Sequence, residues 1–276
     1  MKKIFAFLVL ALFVCLQASE ARTVKILAIG NSFSEDAIEQ NLHELAATDG
    51  IETIVGNLYI GGCSLERHMQ CVNGNLPDYR YRKVDAAGAM HEKPHCTVAE
   101  ALADEDWDYV SVQQASHFSG DYSTYQPYLS QLIAYVKAHT KKGVKIVFHQ
   151  TWAYAQDATH DGFKRYGNSQ QQMFSGIVAA LKRVVKDVHL DVIVPAGTAI
   201  QNARTSSIGD HMNRDGYHLN LLYGRYTAAC TWYQAIFKRS VVGNKFAPEG
   251  MTPEQKLIAQ RAASAAVKHK FKVTQL

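Results

Sequence analysis

Short apolar runs that alternate with helix-patterned segments are the feature that most constrains the fold of this chain. Five such runs, rich in β-branched residues, span 24–29, 53–60, 107–114, 143–148 and 190–195. The segments between them have the spacing of amphipathic helices. Strands that are joined through helices form parallel sheets covered on both faces. The sequence therefore predicts an α/β fold, a flavodoxin-like three-layer α/β/α domain with a central five-stranded parallel sheet.

The N-terminal segment 1–21 has the pattern of a secretory signal peptide. It begins with two lysines, continues with an apolar stretch over 4–16, and ends in small residues. That stretch is too short for a comfortable membrane span, and no later run is long enough to cross a membrane. We therefore expect residues 22–276 to be a soluble, secreted or periplasmic domain. We expect no lipoprotein anchor at Cys15, because the residue before it is bulkier than such signals usually allow.

The charge and the cysteines narrow the class of protein further. The formal net charge of +4 is weak and evenly spread, so the sequence does not favour a nucleic acid as partner. Export makes disulfides possible, and Cys63, Cys71 and Cys96 lie in one loop-rich region that could hold one bridge. The sequence does not determine which of them pair. Cys230 lies in an apolar helical pattern, which predicts a buried free thiol.

The end of the first predicted strand places a serine in a sharp turn. Gly30-Asn31 is a strong turn signal, Ser32 follows it, and an acidic helix start comes next. This layout exposes a serine hydroxyl and aims the N–H groups of a helix N-terminus at a developing negative charge. The alternative is an ordinary turn in which Ser32 only caps the helix, because serine is a favoured N-cap residue.

Three further positions lie at the ends of predicted strands. Gly62 follows the second strand, Gln113 is at the polar end of the third, and His149 follows the fourth. Ligands of parallel α/β sheets bind at the carboxyl ends of the strands, so these residues should meet Ser32 at one edge. The segment 63–97 is too long for a structureless loop in a compact domain, and we expect a small hairpin or cap insertion there that lies over the site.

A nucleophilic serine needs a histidine as general base and a carboxylate that orients the histidine. Two Asp-x-x-His pairs are available, Asp157 with His160 and Asp215 with His218. We favour the second pair, because it follows the fifth predicted strand and precedes a strongly apolar helix that would hold it in place. The alternative for His218 is a solvated position at a helix start, since histidine is often found at protein surfaces.

The oxyanion of an acyl-transfer intermediate needs two or three hydrogen-bond donors. Ser32 and Gly62 can supply backbone N–H groups, and Gln113 or Gln114 can supply a side-chain amide. Strand alternation would point only one of the two amides toward the site, and it does not decide which one.

Two other features in the sequence bear on ligands. Residues 91–95 match the HExxH zinc string, but Pro94 would break the helix that this motif needs, so we predict no metal site. Trp152 and Tyr154 follow the fourth strand with His149, and they would be able to contact a sugar ring there. The alternative is that these aromatic side chains pack the loop onto the sheet, because large aromatics dominate cores.

Taken together, these positions resemble the SGNH (GDSL-type) hydrolase superfamily, in order and spacing over nearly the whole chain after residue 21. The superfamily blocks correspond here to Gly30-Asn31-Ser32, to Gly62, to Gln113 and to the Asp215–His218 pair. Asn31 stands where the superfamily has an aspartate. Gln113 stands where most members have an asparagine, although some carbohydrate acetylesterases of the superfamily use a glutamine. The sequence is also similar to a secreted branch of the superfamily whose function is not established.

The resemblance implies a secreted serine esterase that needs no cofactor. Its catalytic residues would be Ser32, His218 and Asp215, and its oxyanion donors Ser32, Gly62 and Gln113. The expected substrate is a small-molecule or glycan ester, above all an O-acetyl group on a glycan. The alternatives are a lipid or thioester hydrolase of the same fold and a non-catalytic glycan-binding module. The sequence determines neither the acyl group and alcohol of the substrate nor the oligomeric state.

Overall fold

The computed structural model of the protein describes residues 22–276. The predicted signal peptide 1–21, including Cys15, lies outside the described residues. In the part of the chain that the structure describes, no helix is both long enough and apolar enough to span a membrane.

The core of the fold is one sheet of seven strands in the order β4-β3-β2-β1-β5-β6-β7. Five of these strands are parallel, in the order β2-β1-β5-β6-β7, and β3 and β4 are antiparallel additions beside β2. The strands are β1 Val24–Gly30, β2 Thr53–Tyr59, β3 Tyr79–Val84, β4 Met90–Cys96, β5 Tyr109–Val112, β6 Lys145–His149 and β7 Val192–Val194.

Helices cover both faces of this sheet. They are α1 Ser32–Ile38, α2 Leu42–Thr48, α3 Leu65–Gly74, α4 Val98–Asp104, α5 Tyr128–Ala138, α6 Gln170–Asp187, α7 Ala196–Ala203, α8 Tyr223–Phe237 and α9 Pro253–Lys268. Short 3-10 helices span Ser116–Phe118, Tyr122–Thr124 and Asp161–Tyr166. One apolar core lies under α1, α2, α7, α8 and α9, and the other under α3, α4 and α5, while α6 contributes to both. The predicted three-layer α/β/α fold is confirmed.

The segment 63–97 contains a hairpin, which is one of the two forms expected for it, but this hairpin extends the sheet and does not line the cavity beside Ser32. The segment forms α3 and the hairpin β3–β4, which continues the sheet beyond β2, so the sheet has seven strands instead of five. Tyr79 and Tyr81 bury their side chains in the core on one face of the sheet, and Val84 buries its side chain in the core on the other face. Charged side chains cover the exposed edge strand β4, a pattern that blocks further strand pairing.

The four cysteines of the described chain are all buried free thiols. The bridge among Cys63, Cys71 and Cys96 that the sequence left open is therefore absent from residues 22–276. Cys63 and Cys71 are held in the turn and helix after β2, and Cys96 ends β4, so the three belong to separate elements. Cys230 lies inside α8, fully buried as predicted.

Candidate active site

The turn after β1 presents Ser32 at the first position of α1. Asn31 is the N-cap, and its side-chain oxygen accepts a hydrogen bond from Phe33 N at 3.0 Å. Ser34 completes a capping box, because its hydroxyl also accepts from Asn31 N at 3.1 Å. A Cβ at Gly30 would meet Ser34 Oγ at 2.4 Å, so a side chain at that position would disrupt the turn. Since Ser32 is the first helical residue, its N–H has no intrahelical acceptor.

A cavity of about 340 Å³ opens directly beside this serine. Its walls come from the ends of β1, β2 and β5 and from two later loops. They are formed by Asn31, Ser32, Phe33, Tyr59, Gly61, Gly62, Ser116, His117, His160, Tyr217 and His218. The structure thus brings Ser32, Gly62 and His218, three of the predicted site residues, around one space.

The histidine in this cavity is oriented by the carboxylate three residues before it. The Nδ1 of His218 donates to Asp215 Oδ2 at 2.7 Å, and its backbone N–H donates to Oδ1 at 2.8 Å. The Nε2 atom of a neutral His218 is therefore a free base. Burial raises the pKa of Asp215, but hydrogen bonds from His218 and from backbone N–H groups outweigh this, and the net pKa lies below its ordinary value.

The loop that carries this pair is fastened to the loop after β6. Trp152 Nε1 donates to the carbonyl of Tyr217 at 2.8 Å, and Ala155 N donates to the carbonyl of Gly216 at 2.7 Å. Gly216 has a φ of 88°, and a Cβ there would meet Ala158 at 2.9 Å. Both the left-handed backbone and the close approach therefore require glycine between Asp215 and His218.

The side chain of Asn31 links the turn that carries Ser32 to the turn that carries Gly62. Asn31 Nδ2 donates to the carbonyl of Cys63 at 3.0 Å, and so it ties the turn before Ser32 to the turn that contains Gly62. Gly62 has a φ of 62°, while a Cβ at this position would find no atom within 4 Å. The requirement for glycine here is therefore one of backbone conformation and not of space.

The side chain of Gln113 contacts the turn at Asn31 and does not face the cavity. Its amide Nε2 donates to Asn31 Oδ1 at 2.8 Å, and its Oε1 accepts from His149 Nδ1 at 2.8 Å. The side chain is only 1% exposed. Gln113 is also not among the residues that line the cavity, which corrects the expectation that its amide points into the space beside Ser32.

Gln114 turns away from the site. Its Oε1 accepts from Leu65 N at 3.0 Å, and its Nε2 donates to the carbonyl of Thr124 at 2.9 Å. The amide therefore holds the start of α3 against the loop after β5. Of the two glutamines, Gln113 is the one that contacts the serine turn.

The residues at the end of β6 and in the following loop, which were predicted to contact substrate, are buried and do not line the cavity. His149, Trp152 and Tyr154 are each 0% exposed, which corrects the expectation of direct contact with a sugar. Trp152 stacks on Phe33 with ring centroids 4.2 Å apart, and the Tyr154 hydroxyl bonds to Ser116 Oγ at 2.8 Å. Burial lowers the pKa of His149 to about 3. These side chains shape the cavity wall by supporting Phe33 and Ser116.

The other Asp-x-x-His pair, Asp157 with His160, does not form a dyad. His160 lines the cavity, but its Nδ1 accepts a hydrogen bond from Gly162 N at 2.9 Å, while Asp157 is exposed. The sequence did not predict that His117 and Tyr217 line the cavity beside His160. His117 stacks on it at 6.0 Å, and Tyr217 meets it edge-on at 4.9 Å. The only signal for His117 was its place a few residues after the third predicted strand.

The HExxH string at 91–95 lies in strand β4, where it has no helical face. Among residues 22–276, no group of three or more His, Cys, Asp or Glu side chains is arranged to hold a metal ion.

The comparisons with known proteins agree with this architecture. The family model described as a domain of unknown function (DUF4886) matches residues 25–266. A DUF4886 family protein from Bacteroides uniformis is 54% identical, with a TM-score of 0.91 over 92% of this chain and 98% of that chain. A proposed SGNH hydrolase from Slackia heliotrinireducens is 23% identical, with a TM-score of 0.53 over 78% of this chain and 100% of that chain. This second likeness establishes an SGNH-hydrolase-like fold. The comparison with curated proteins finds no match.

Proposed function

This chain belongs to the DUF4886 family, and we propose that it is a serine ester hydrolase that removes a small acyl group, above all acetyl, from a glycan. The observation that carries the proposal is the cavity shared by Ser32, Gly62 and His218, with Asp215 holding the imidazole at 2.7 Å. A serine at a helix start, an imidazole with a free Nε2 and an orienting carboxylate are the parts that ester hydrolysis needs.

In the proposed reaction, Ser32 Oγ attacks the ester carbonyl while His218 Nε2 takes the serine proton. The carbonyl oxygen becomes the oxyanion of a tetrahedral intermediate. When the bond to the alcohol breaks, the alcohol leaves with the proton from His218. A water molecule, deprotonated by His218 in the same way, then attacks the acyl-Ser32 ester. As the bond between the acyl carbon and Ser32 Oγ breaks, His218 returns the proton to Oγ and the carboxylic acid leaves. Asp215 holds the imidazole in the required tautomer and stabilises its charged form.

The backbone N–H groups of Ser32 and Gly62 would stabilise the oxyanion. The Ser32 N–H lies at the N-terminus of α1, where it has no acceptor within the helix. The link from Asn31 to the carbonyl of Cys63 fixes the turns that carry the two donors. Donors held in place before the reaction lower the barrier, because they need no reorganisation when the charge develops. Gln113 would act indirectly by holding Asn31.

The size and lining of the cavity support a small acyl group. The space has a volume of about 340 Å³ and is bounded by imidazoles, tyrosine rings and serine hydroxyls, a lining that favours a small acyl group over a long apolar chain. The glycan is inferred from the expected export of the chain and from the aromatic rings of Tyr59 and Tyr217 on the cavity wall.

An active-site label tests the nucleophile. Purified protein is treated with a fluorophosphonate, and the mass of the intact chain is measured. We expect one adduct on the wild type and none on Ser32→Ala. The control is Ser130→Ala, which removes an exposed serine hydroxyl on α5 that bonds only to Gln126, and it should label like the wild type. Equal labelling of Ser32→Ala, or a folded wild type that takes no label, would refute the proposal.

The acyl group is tested by acetate release. Wild type and Ser32→Ala are compared on a panel of acetylated polysaccharides and on an aryl acetate. We expect acetate release by the wild type alone, with the rate of Ser32→Ala lower by at least ~10³-fold. If the wild type hydrolyses the aryl acetate but releases no acetate from any polysaccharide, the protein is an esterase whose substrate is not an acetylated glycan of this panel.

A further inference from the structure

A second and larger cavity lies on the other side of the wall that His117 and His160 build. Its volume is about 640 Å³. We call it the arginine groove, and it is lined by Gly120, Asp121, Tyr122, Ser123, Arg165, Tyr166, Gly176, Ala179, Ala180 and Arg183. Small residues form its floor, and Gly176 approaches the carbonyl of Gly120 so closely that a Cβ would lie at 3.2 Å from it. Along α6, the small residues Gly176, Ala179 and Ala180 leave this space open, while Arg183 lines it with a long side chain.

Two arginines flank this groove, and each lies over an aromatic ring. The guanidinium of Arg165 is 4.7 Å from the ring centre of Phe118, and that of Arg183 is 3.9 Å from the ring centre of Tyr122. Stacking on a ring restrains a guanidinium and leaves its N–H edge free for a planar anion. Neither guanidinium takes part in the ion pairs formed within residues 22–276.

The carboxylates near these arginines are bound by other donors. Asp121 Oδ1 accepts from the hydroxyl of Ser123 at 2.6 Å and from its backbone N–H at 3.1 Å. Asp187 accepts the hydroxyl of Tyr122. An incoming carboxylate would therefore find two charged donors that no protein carboxylate occupies.

The groove and the catalytic cavity share their dividing wall. In the 3-10 turn Ser116–Phe118, His117 lines the cavity while the next residue supports Arg165. The hydroxyl of Tyr166 donates to the carbonyl of His117 at 3.2 Å and accepts from Gly120 N at 2.9 Å. The turn Ser116–Phe118 therefore lies between a residue of the catalytic cavity and residues of the groove, so the two spaces are neighbours.

We infer that the arginine groove binds a carboxylated sugar of the substrate, so that the preferred substrate is an esterified acidic glycan. Arg165 and Arg183 would each donate paired N–H bonds to a uronic acid carboxylate, the geometry that a guanidinium forms best. This inference rests on the proposed function, because it assigns the groove to the alcohol part of the ester.

Direct binding without turnover tests the groove. The Ser32→Ala chain is titrated calorimetrically with a trimer of β-1,4-linked glucuronic acid and with cellotriose, which differ only in the carboxylates. We expect the acidic trimer to bind at least about tenfold more tightly, and its affinity to fall as salt is raised. Equal binding of the two trimers, or no binding of either one, would overturn the inference.

Variants then assign the contact to the two arginines. In the Ser32→Ala background, Arg165→Gln and Arg183→Gln should each weaken binding of the acidic trimer by about tenfold. The control is Lys182→Gln, which removes one positive charge from the same helix, where the ammonium lies over Phe271 outside the groove. It should bind like the parent. If all three variants lose the same affinity, the binding is nonspecific attraction to α6 and the inference fails.

This test separates the two proposals. Binding is measured on a protein without the nucleophile, so it does not depend on hydrolysis. If the chain takes the fluorophosphonate label but does not prefer the acidic trimer, the proposed function stands and the role of the arginine groove is refuted. If the chain binds the acidic trimer but takes no label, the arginine groove is a glycan-binding site and the proposed esterase activity is refuted.

Discussion

The carboxylate of Asp36 joins the serine helix to the histidine loop, because its Oδ2 accepts a hydrogen bond from Leu219 N at 2.7 Å. Asp36 is only 1% exposed, and it also pairs with Arg225 at 2.8 Å and Arg214 at 3.1 Å. It lies one turn after Ser32 in α1, and Leu219 follows His218 directly. This buried carboxylate therefore fixes the position of His218 relative to the serine, although it does not line the cavity.

Asp36→Asn should destabilise the fold and lower the activity together. It removes the charge that compensates Arg225 and Arg214, and breaking a buried pair of this kind costs about 3 kcal/mol. We expect that loss in urea unfolding, and a fall of at least ~10-fold in kcat/KM on aryl acetate as the histidine loop shifts. The control is Glu35→Gln on the same helix, whose more exposed pair with Arg82 should contribute less than about 1 kcal/mol. Unchanged stability of Asp36→Asn would contradict this role.

The two histidines of the cavity should behave differently when they are truncated. His218→Ala removes the proposed base, so kcat on aryl acetate should fall by at least ~10³-fold. His160 Nδ1 is bound to Gly162 N, and no carboxylate orients it, so His160→Ala should mainly raise KM on a glycan ester. Steady-state kinetics of both variants, with far-UV circular dichroism to check folding, decide the point. A loss of kcat in His160→Ala as large as that in His218→Ala would give His160 the role of base.

The sequence predicted the parts of the site that follow from parallel strand ends. Ser32 and Gly62 come after neighbouring strands, so their carboxyl ends had to meet at one edge of the sheet. His218 was located by its carboxylate partner and by the apolar helix that follows. A hairpin was expected in the segment 63–97, but the pairing of β3 with β2 was missed, because the strands of this hairpin are short and charged and resemble a loop.

The remaining errors concern side chains whose partners no pattern reveals. Gln113 could be placed at the end of a strand, but not the oxygen of Asn31 that takes up its amide. For Trp152 the sequence left two alternatives open, contact with a sugar and packing in the core, and its stacking on Phe33 shows that it packs in the core. His117 and Tyr217 come from irregular segments, where neither helical nor strand periodicity predicts which side chain faces a cavity.

Two buried histidines should make the fold sensitive to mild acid. Burial lowers the pKa of His149 and of His68 to about 3 each. Between that value and the ordinary pKa near 6.5, the unfolded chain binds protons that the folded chain does not, so the free energy of unfolding falls as pH decreases. The full effect is about 1.4 kcal/mol per pH unit for each histidine.

Urea unfolding between pH 7 and pH 4.5 measures this effect. His68→Asn should reduce the slope against pH below about 6, since it removes one of the two sites. The control is His189→Asn, which changes an exposed histidine and should keep the slope of the wild type. If His68→Asn keeps that slope as well, His68 is protonated in the folded state and the prediction is wrong.

The chain of hydrogen bonds from His149 through Gln113 to Asn31 should act as one unit in catalysis. Gln113→Ala removes one of the two buried donors to the Asn31 side-chain oxygen and leaves only Phe33 N, and Asn31→Ala removes the link to the carbonyl of Cys63. Either change would let the turns of Ser32 and Gly62 move apart, which weakens the proposed oxyanion donors more than ground-state binding. We expect each variant to lower kcat on aryl acetate by about 10- to 100-fold, with a smaller change in KM.

The double variant distinguishes this unit from two separate contributions. If Gln113 acts only by holding Asn31, the loss of kcat in the double variant should be close to that of Asn31→Ala alone. The matched control is Gln114→Ala, whose amide bonds to Leu65 N and Thr124 away from the cavity. It should lower the free energy of unfolding while kcat stays near the wild-type value. Losses that multiply in the double variant would mean that Gln113 reaches the oxyanion by itself, because an independent donor contributes whether or not Asn31 is present.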